Sequence, residues 1–144
     1  MDNLKTDYYY IVKIIEDIDA VQKYMGTLSY EQFNDNELVI DAVLFRLIQM
    51  TESIKKLSKE LREKHKDVQW NQIIGFRNGI VHDYGNTDYA IVYDIATQDI
   101  VTLKETLKTE LVIPTLDNLD QVLTESLAQA KSNKGKPNNK VFKK

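Results

Sequence analysis

Apolar residues recur at steps of three and four along almost the whole chain, and no stretch alternates with period two, so the pattern predicts helices and no strands. In the first segment Leu4, Tyr8, Ile11, Ile15, Ile18, Val21 and Met25 form one stripe, and Gly26 follows as a stop. Ser29-Tyr30-Glu31-Gln32 fits a capping box and predicts a helical turn. Asn34 or Asp35 then caps the longest helix, whose Ile40, Val43, Leu47, Met50, Ile54, Leu57 and Leu61 alternate steps of three and four. Val39, Leu44, Phe45 and Ile48 widen that stripe, which calls for burial by more than one neighbour. Asp67 is placed to cap a third helix carrying Trp70, Ile73, Ile74, Phe76, Ile80 and Val81, ended by Gly85 in the turn Asp83-Tyr84-Gly85-Asn86. Thr87 or Asp88 opens a fourth, with Tyr89, Val92, Ala96, Ile100, Leu103 and Leu107 on one face. Pro114 marks a boundary, and Leu116, Leu119, Leu123 and Leu127 give a weaker fifth helix. The expected fold class is all-α: an antiparallel up-down bundle of four main helices over residues 1–114, an appended C-terminal helix over 115–130, and a basic, disordered tail over 131–144.

Composition narrows the chemistry. A chain of 144 residues can bury a core without disulfide or metal staples. With no Cys, thiolate nucleophiles and cysteine zinc sites are excluded, and a reducing compartment fits. No apolar run is long enough to span a membrane, and Met1-Asp2-Asn3-Leu4 lacks the basic start and apolar run of a signal peptide. A soluble, cytoplasmic protein is expected. The net charge of −3 conceals an asymmetry, because Lys131–Lys144 holds six lysines and no acid while the body before it carries −9. Such a body argues against phosphate-backbone binding over its whole surface. Any nucleic-acid role must then rest on a local site or on the tail.

Few groups are suited to catalysis. Of the two histidines, His65 lies in Lys64-His65-Lys66 and reads as a solvated surface residue. His82 lies in Arg77-Asn78-Gly79-Ile80-Val81-His82-Asp83-Tyr84, which gathers an Arg, a His and a Tyr at a helix-to-turn junction. Gly79 inside this helix marks either a close helix contact or room for another chain or a ligand. Five residues rotate a side chain by ~140° on a regular helix, so Arg77 and His82 do not share a face unless the helix loosens or a second subunit contributes. Arg77 and Tyr84 would share one if the helix continued. On residue chemistry alone the simplest reading is structural, an Arg in an ion pair and a His at a helix end. No spacing resembles a metal ligand set, and the pairs Asp17/Asp19 and Glu60/Glu63 read as solvated helix faces. Trp70 and the tyrosines at 8, 9, 10 and 24 read as core or interface residues.

The stretch Ile73-Ile74-Gly75-Phe76-Arg77-Asn78-Gly79-Ile80-Val81-His82-Asp83-Tyr84 resembles the Arg-x4-His-x-Tyr motif of HepT-like proteins in the HEPN superfamily (higher eukaryotes and prokaryotes nucleotide-binding). Met50-Thr51-Glu52-Ser53 with Leu57-Ser58-Lys59-Glu60-Leu61 resembles the family's long-helix signature, and Trp70 and Asp88 fall where the family places them. The resemblance runs from about Leu4 to Pro114. It implies an antiparallel helical bundle, a homodimer and a metal-independent RNA endonuclease without cofactor, the toxin of a type VII toxin–antitoxin pair. The implied partner is a minimal nucleotidyltransferase antitoxin that transfers AMP onto the motif tyrosine. Carried onto this chain, Arg77 and His82 are the catalytic pair and Tyr84 the modification site. Asn78 and Glu52 are auxiliary, Glu52 by holding Arg77 in an ion pair. Asp83 stands where a small residue is common, either repelling phosphate or orienting the imidazole, and Tyr93 replaces a tryptophan frequent on the fourth helix. The alternative is a non-catalytic helical subunit that binds a nucleotidyltransferase or its substrate.

Overall fold

A computed structural model describes residues 6–111 and 119–132, and every regular element among them is helical, as the periodicity predicts. The helices are α1 (Asp7–Met25), α2 (Tyr30–Asn34), α3 (Glu37–Ile54), α4 (Lys59–Lys64), α5 (Trp70–His82), α6 (Tyr89–Asp94), α7 (Ile100–Lys108) and α8 (Leu119–Ser132). A 3-10 turn, Tyr84–Asn86, follows α5, and a π-turn, Ile95–Asp99, runs α6 into α7.

Local chemistry sets the ends. Thr6 caps α1 by accepting the Tyr9 N–H, and Gly26 ends it with a φ of 50° that side-chain-bearing residues rarely adopt. Ser29 and Gln32 exchange both bonds of the capping box, at 3.2 and 2.9 Å. Since α2 takes up Asn34, the cap of α3 passes to Asn36, which accepts from the Val39 N–H at 3.1 Å. The predicted long helix is two helices. Asp7 of α1 accepts the Ser58 N–H at 2.8 Å, and the Ser58 hydroxyl caps α4 through the Leu61 N–H, so the chain restarts after Ile54. Leu57 and Leu61 stay buried, which is why the hydrophobic spacing runs across the break. Asp67 does not cap α5. That helix starts after Gln69, fixed by the Trp70 indole N–H shared between the Arg62 and His65 carbonyls at 3.0 and 3.1 Å. Asp88 does cap α6.

The side-chain links fix the directions. Asp17 of α1 pairs with Arg46 of α3 while Asp7 reaches Ser58, so α1 and α3 run antiparallel. Lys104 of α7 pairs with Asp19, and the Tyr93 hydroxyl donates to the Leu28 carbonyl, so the α6–α7 arm runs antiparallel to α1. Phe33, Ile14, Ile18, Val43, Leu44, Val92 and Leu107 are fully buried between these arms. Removing a side chain such as Phe33 would cost about 3–5 kcal/mol.

The chain divides into two compact units, residues 1–111 and 112–144. In the second, α8 exposes Leu123 and Leu127. Pro114, Leu116 and the tail from residue 133 onward lie outside the described residues. No described helix is long and apolar enough to cross a membrane.

Candidate functional site

The last two turns of α5 and the turn beyond it carry the motif, and α3 backs them. Helix α5 is unbroken through His82, with the Asp83 N–H still bonded to the Gly79 carbonyl at 3.0 Å. Loosening of the helix is therefore not how Arg77 and His82 meet, and they project ~140° apart. Arg77 leans onto α3, its Nε 2.7 Å from Glu52 Oε2. Both atoms are shielded from solvent, and neither has an aligned hydrogen-bond partner among the described residues. The contact is thus electrostatic rather than a well-formed hydrogen bond, and an opposite charge at that distance is still strongly attractive where water is excluded. Arg77 Nη1 also donates to Asn78 Oδ1 at 3.0 Å, which holds the plane of the guanidinium.

His82 is exposed, and its imidazole has no hydrogen bond or ion pair among the described residues. Gly75, Asn78 and Gly79 share its face of α5 and are exposed too. A Cβ added at Gly75 or Gly79 would meet nothing within 4 Å among the described residues, so Gly79 makes no close helix contact with them. Val81, predicted as core, is 50% exposed on the same helix.

Asp83 breaks the helix with φ −150° and ψ 60° and accepts from the Asn86 side chain at 3.0 Å. Its carboxylate is a turn former, with no bond to the imidazole. The turn swings Tyr84 back onto the first half of α3, where its hydroxyl donates to Asp41. Burial and this carboxylate push the Tyr84 phenol up to about 12. With 43% of the residue exposed, the carboxylate is the cause the geometry shows most directly. The helix ends at His82, so Arg77 and Tyr84 are not aligned along it, yet both turn toward α3, at Glu52 and Asp41, anchor points ~16 Å apart along the helix axis.

Asp41 was absent from the sequence reading, being 43 positions from its tyrosine with no local signal to mark it. Several bland readings also change. His65 is not solvated: its Nε2 lies 2.6 Å from Glu110, which also takes Lys64 at 3.0 Å, and the histidine bond holds the Glu110 carboxyl below its usual range. Asp17 is 6% exposed, its carboxyl raised by burial against the lowering effect of Arg46, so it is not solvated, whereas Asp19 is exposed and pairs with Lys104. Tyr8 and Tyr9 are exposed, unlike the buried Trp70. Among the described residues no three His, Asp or Glu side chains are grouped to hold a metal ion.

Comparison with known proteins places the sequence in a family. Residues 14–110 match the family described as "Ribonuclease HepT-like". A provisionally named RNase of Caldanaerobacter subterraneus is 29% identical over 73% of this chain and 94% of its own. Another, from Methanocaldococcus jannaschii, is 27% identical over 78% of this chain and 91% of its own. A provisionally named ribonuclease HepT of Thermococcus cleftensis is 22% identical over 66% and 86%. No solved structure gives a significant match. The chain belongs to the HepT-like ribonuclease family.

Proposed function

We propose that the protein is the toxin of a type VII toxin–antitoxin pair, a metal-independent RNA endonuclease whose active site forms where two copies meet. The observation that carries this reading is the contrast between the two motif side chains. Arg77 is held from behind by Glu52 and Asn78, whereas His82 has no partner among the described residues and stands on an unbroken helix with bare backbone beside it. A structural histidine at a helix end needs no such open surroundings.

The chemistry follows from the side chains. The ribose 2′-oxygen attacks the adjacent phosphorus while His82 takes its proton, and the bond to the 5′-oxygen breaks as that oxygen is protonated. The products are a 2′,3′-cyclic phosphate and a 5′-hydroxyl. Arg77 stabilises the extra negative charge on the phosphorane by forked hydrogen bonds. One imidazole cannot be base and acid in the same turnover, so a twofold axis supplying His82 from each copy completes the site. Exposed Leu38 on α3 and Val81 on α5 are apolar and suit a homodimer.

Neutralisation would come from a minimal nucleotidyltransferase. The Tyr84 oxygen attacks the α-phosphorus of ATP, pyrophosphate leaves, and Asp41 is placed to accept the phenolic proton. The alternative, a non-catalytic subunit for a nucleotidyltransferase, is favoured by one feature, the acidic charge of the body.

Induction of the wild type, Arg77→Ala and His82→Ala without the partner separates the two. Growth arrest and RNA cleavage by the wild type alone are expected; a wild type that does neither removes the ribonuclease reading. After co-expression with the partner, intact mass should rise by AMP units and stay unchanged for Tyr84→Phe.

A further inference from the structure

Two grooves flank α3, and their electrostatics are opposite. Between α5 and the α6–α7 arm lies a cleft of about 720 Å3 with an apolar floor and a rim of Asp67, Asp94 and Asp99. No Lys, Arg or His lines it, so it repels phosphate. The other groove, about 350 Å3, runs along the outer seam of α1 and α3. Its lining includes Tyr9, Tyr10, Lys13 and Asp17 of α1, Arg46 and Glu52 of α3, and Lys56 in the turn just beyond α3.

Charge in this second groove is unevenly committed. Arg46 is taken by Asp17 at 2.9 Å, and Glu52 is taken by Arg77 at 2.7 Å. Lys13 and Lys56 have no carboxylate within ion-pair distance among the described residues. Their ammonium groups lie instead over tyrosine rings, Lys13 6.0 Å from the Tyr9 centroid and Lys56 5.8 Å from that of Tyr10. The two rings sit edge to face, with centroids 5.0 Å apart. Two lysines without a close ion pair among the described residues, interleaved with aromatic rings on a body of charge −9, make a local site for a phosphate backbone and its bases, even with Asp17 near enough to feel Lys13. Glu52 ties the groove to the motif, because one carboxylate both lines it and holds Arg77.

We infer that the α1–α3 groove is a nucleotide subsite for single-stranded RNA, in which Lys13 and Lys56 hold phosphates flanking the scissile bond and Tyr9 and Tyr10 meet a base. The inference rests on the ribonuclease reading and names where its substrate lies. The volume suits a site of nucleotide size, since small-molecule pockets begin at ~300 Å3. It also explains how an acidic protein takes hold of RNA: the strand is gripped at a few points and kept off the Asp-rimmed cleft.

The test uses the full chain carrying His82→Ala, so that RNA is bound without turnover, with and without Lys13→Gln and Lys56→Gln. Fluorescence anisotropy with a labelled single-stranded oligoribonucleotide is measured across a salt series. Losing two phosphate contacts should weaken binding roughly tenfold and flatten the salt slope by about 1.4, at ~0.7 per phosphate. Tyr9→Leu should weaken binding without changing that slope. Circular dichroism checks the fold, which Gln at two exposed positions should leave intact. Unchanged affinity and slope in the double variant overturn the subsite, as does a loss confined to binding of the nucleotidyltransferase. Cleavage by the wild type is scored separately. A wild type that cleaves while the lysine variants bind normally removes the subsite alone. If the wild type does not cleave but the lysines govern RNA affinity, the subsite stands and the ribonuclease reading falls.

Discussion

Tyr84 keeps its proton far into the alkaline range because burial disfavours the phenolate and ionising it would place a second negative charge against Asp41. An unfolded tyrosine ionises near ~10, so between about 10 and 12 the unfolded chain loses a proton that the folded chain keeps. Stability contributed by this group is present below the lower value and lost as pH rises through that window. Asp41→Asn should bring the phenol back toward ~10, read by NMR titration of the tyrosine ring, and should slow AMP transfer. Glu110 has the opposite sign. Its carboxyl is held low by His65, so its contribution is present at neutral pH and lost as pH falls through its folded value. Glu110→Gln should flatten the acid limb of the unfolding curve. Glu52→Gln should loosen Arg77 and lower kcat on the order of 10- to 100-fold in a cleavage assay, because small misplacements of a catalytic group are costly. Arg77, His82 and Tyr84 were legible together because they fall within eight residues. Their partners Glu52 and Asp41 lie on another helix, and the Lys64-His65-Lys66 run hid a histidine whose carboxylate is 45 positions away. Only the family resemblance pointed to Glu52, and nothing pointed to Asp41.

Helix α5 carries its own cost. Glycine in a helix interior is less favourable than alanine by ~1 kcal/mol, and neither Gly75 nor Gly79 returns packing among the described residues. Gly79→Ala should therefore raise stability by roughly 0.5–1 kcal/mol in urea unfolding of the monomer. If the bare stripe is where a second copy sits, the same change should lower cleavage and dimer formation. The break between α3 and α4 was not legible, because Leu57 and Leu61 continue the heptad spacing while the cause, Asp7, sits on another helix. Ser58→Ala should cost about 1–2 kcal/mol by loss of the cap. The π-turn between α6 and α7 left one faint trace, two successive steps of four from Val92 to Ala96 to Ile100. Helix type and the buried stripes were carried by periodicity alone, since side-chain spacing reports which face is buried and not which backbone bonds are made.

At the scale of the molecule, residues 6–111 form a helical bundle within an acidic body. The charge asymmetry visible in the sequence argues against RNA binding over the whole surface, and under the proposed subsite a few cations in the groove beside α1 would take that role. A single chain holds Arg77 and His82 on different sides of α5, so activity should depend on assembly. Purified wild type and the single variants Arg77→Ala and His82→Ala, alone and mixed after exchange of subunits, can be compared on one end-labelled RNA. Wild type should release fragments ending in 2′,3′-cyclic phosphate, and each variant should fall by at least roughly 100-fold. The mixture should stay as inactive as its components, because a mixed dimer carries a single His82 where the proposed chemistry uses one from each copy. RNA left whole by the wild type, or single variants as active as wild type, would contradict the assignment.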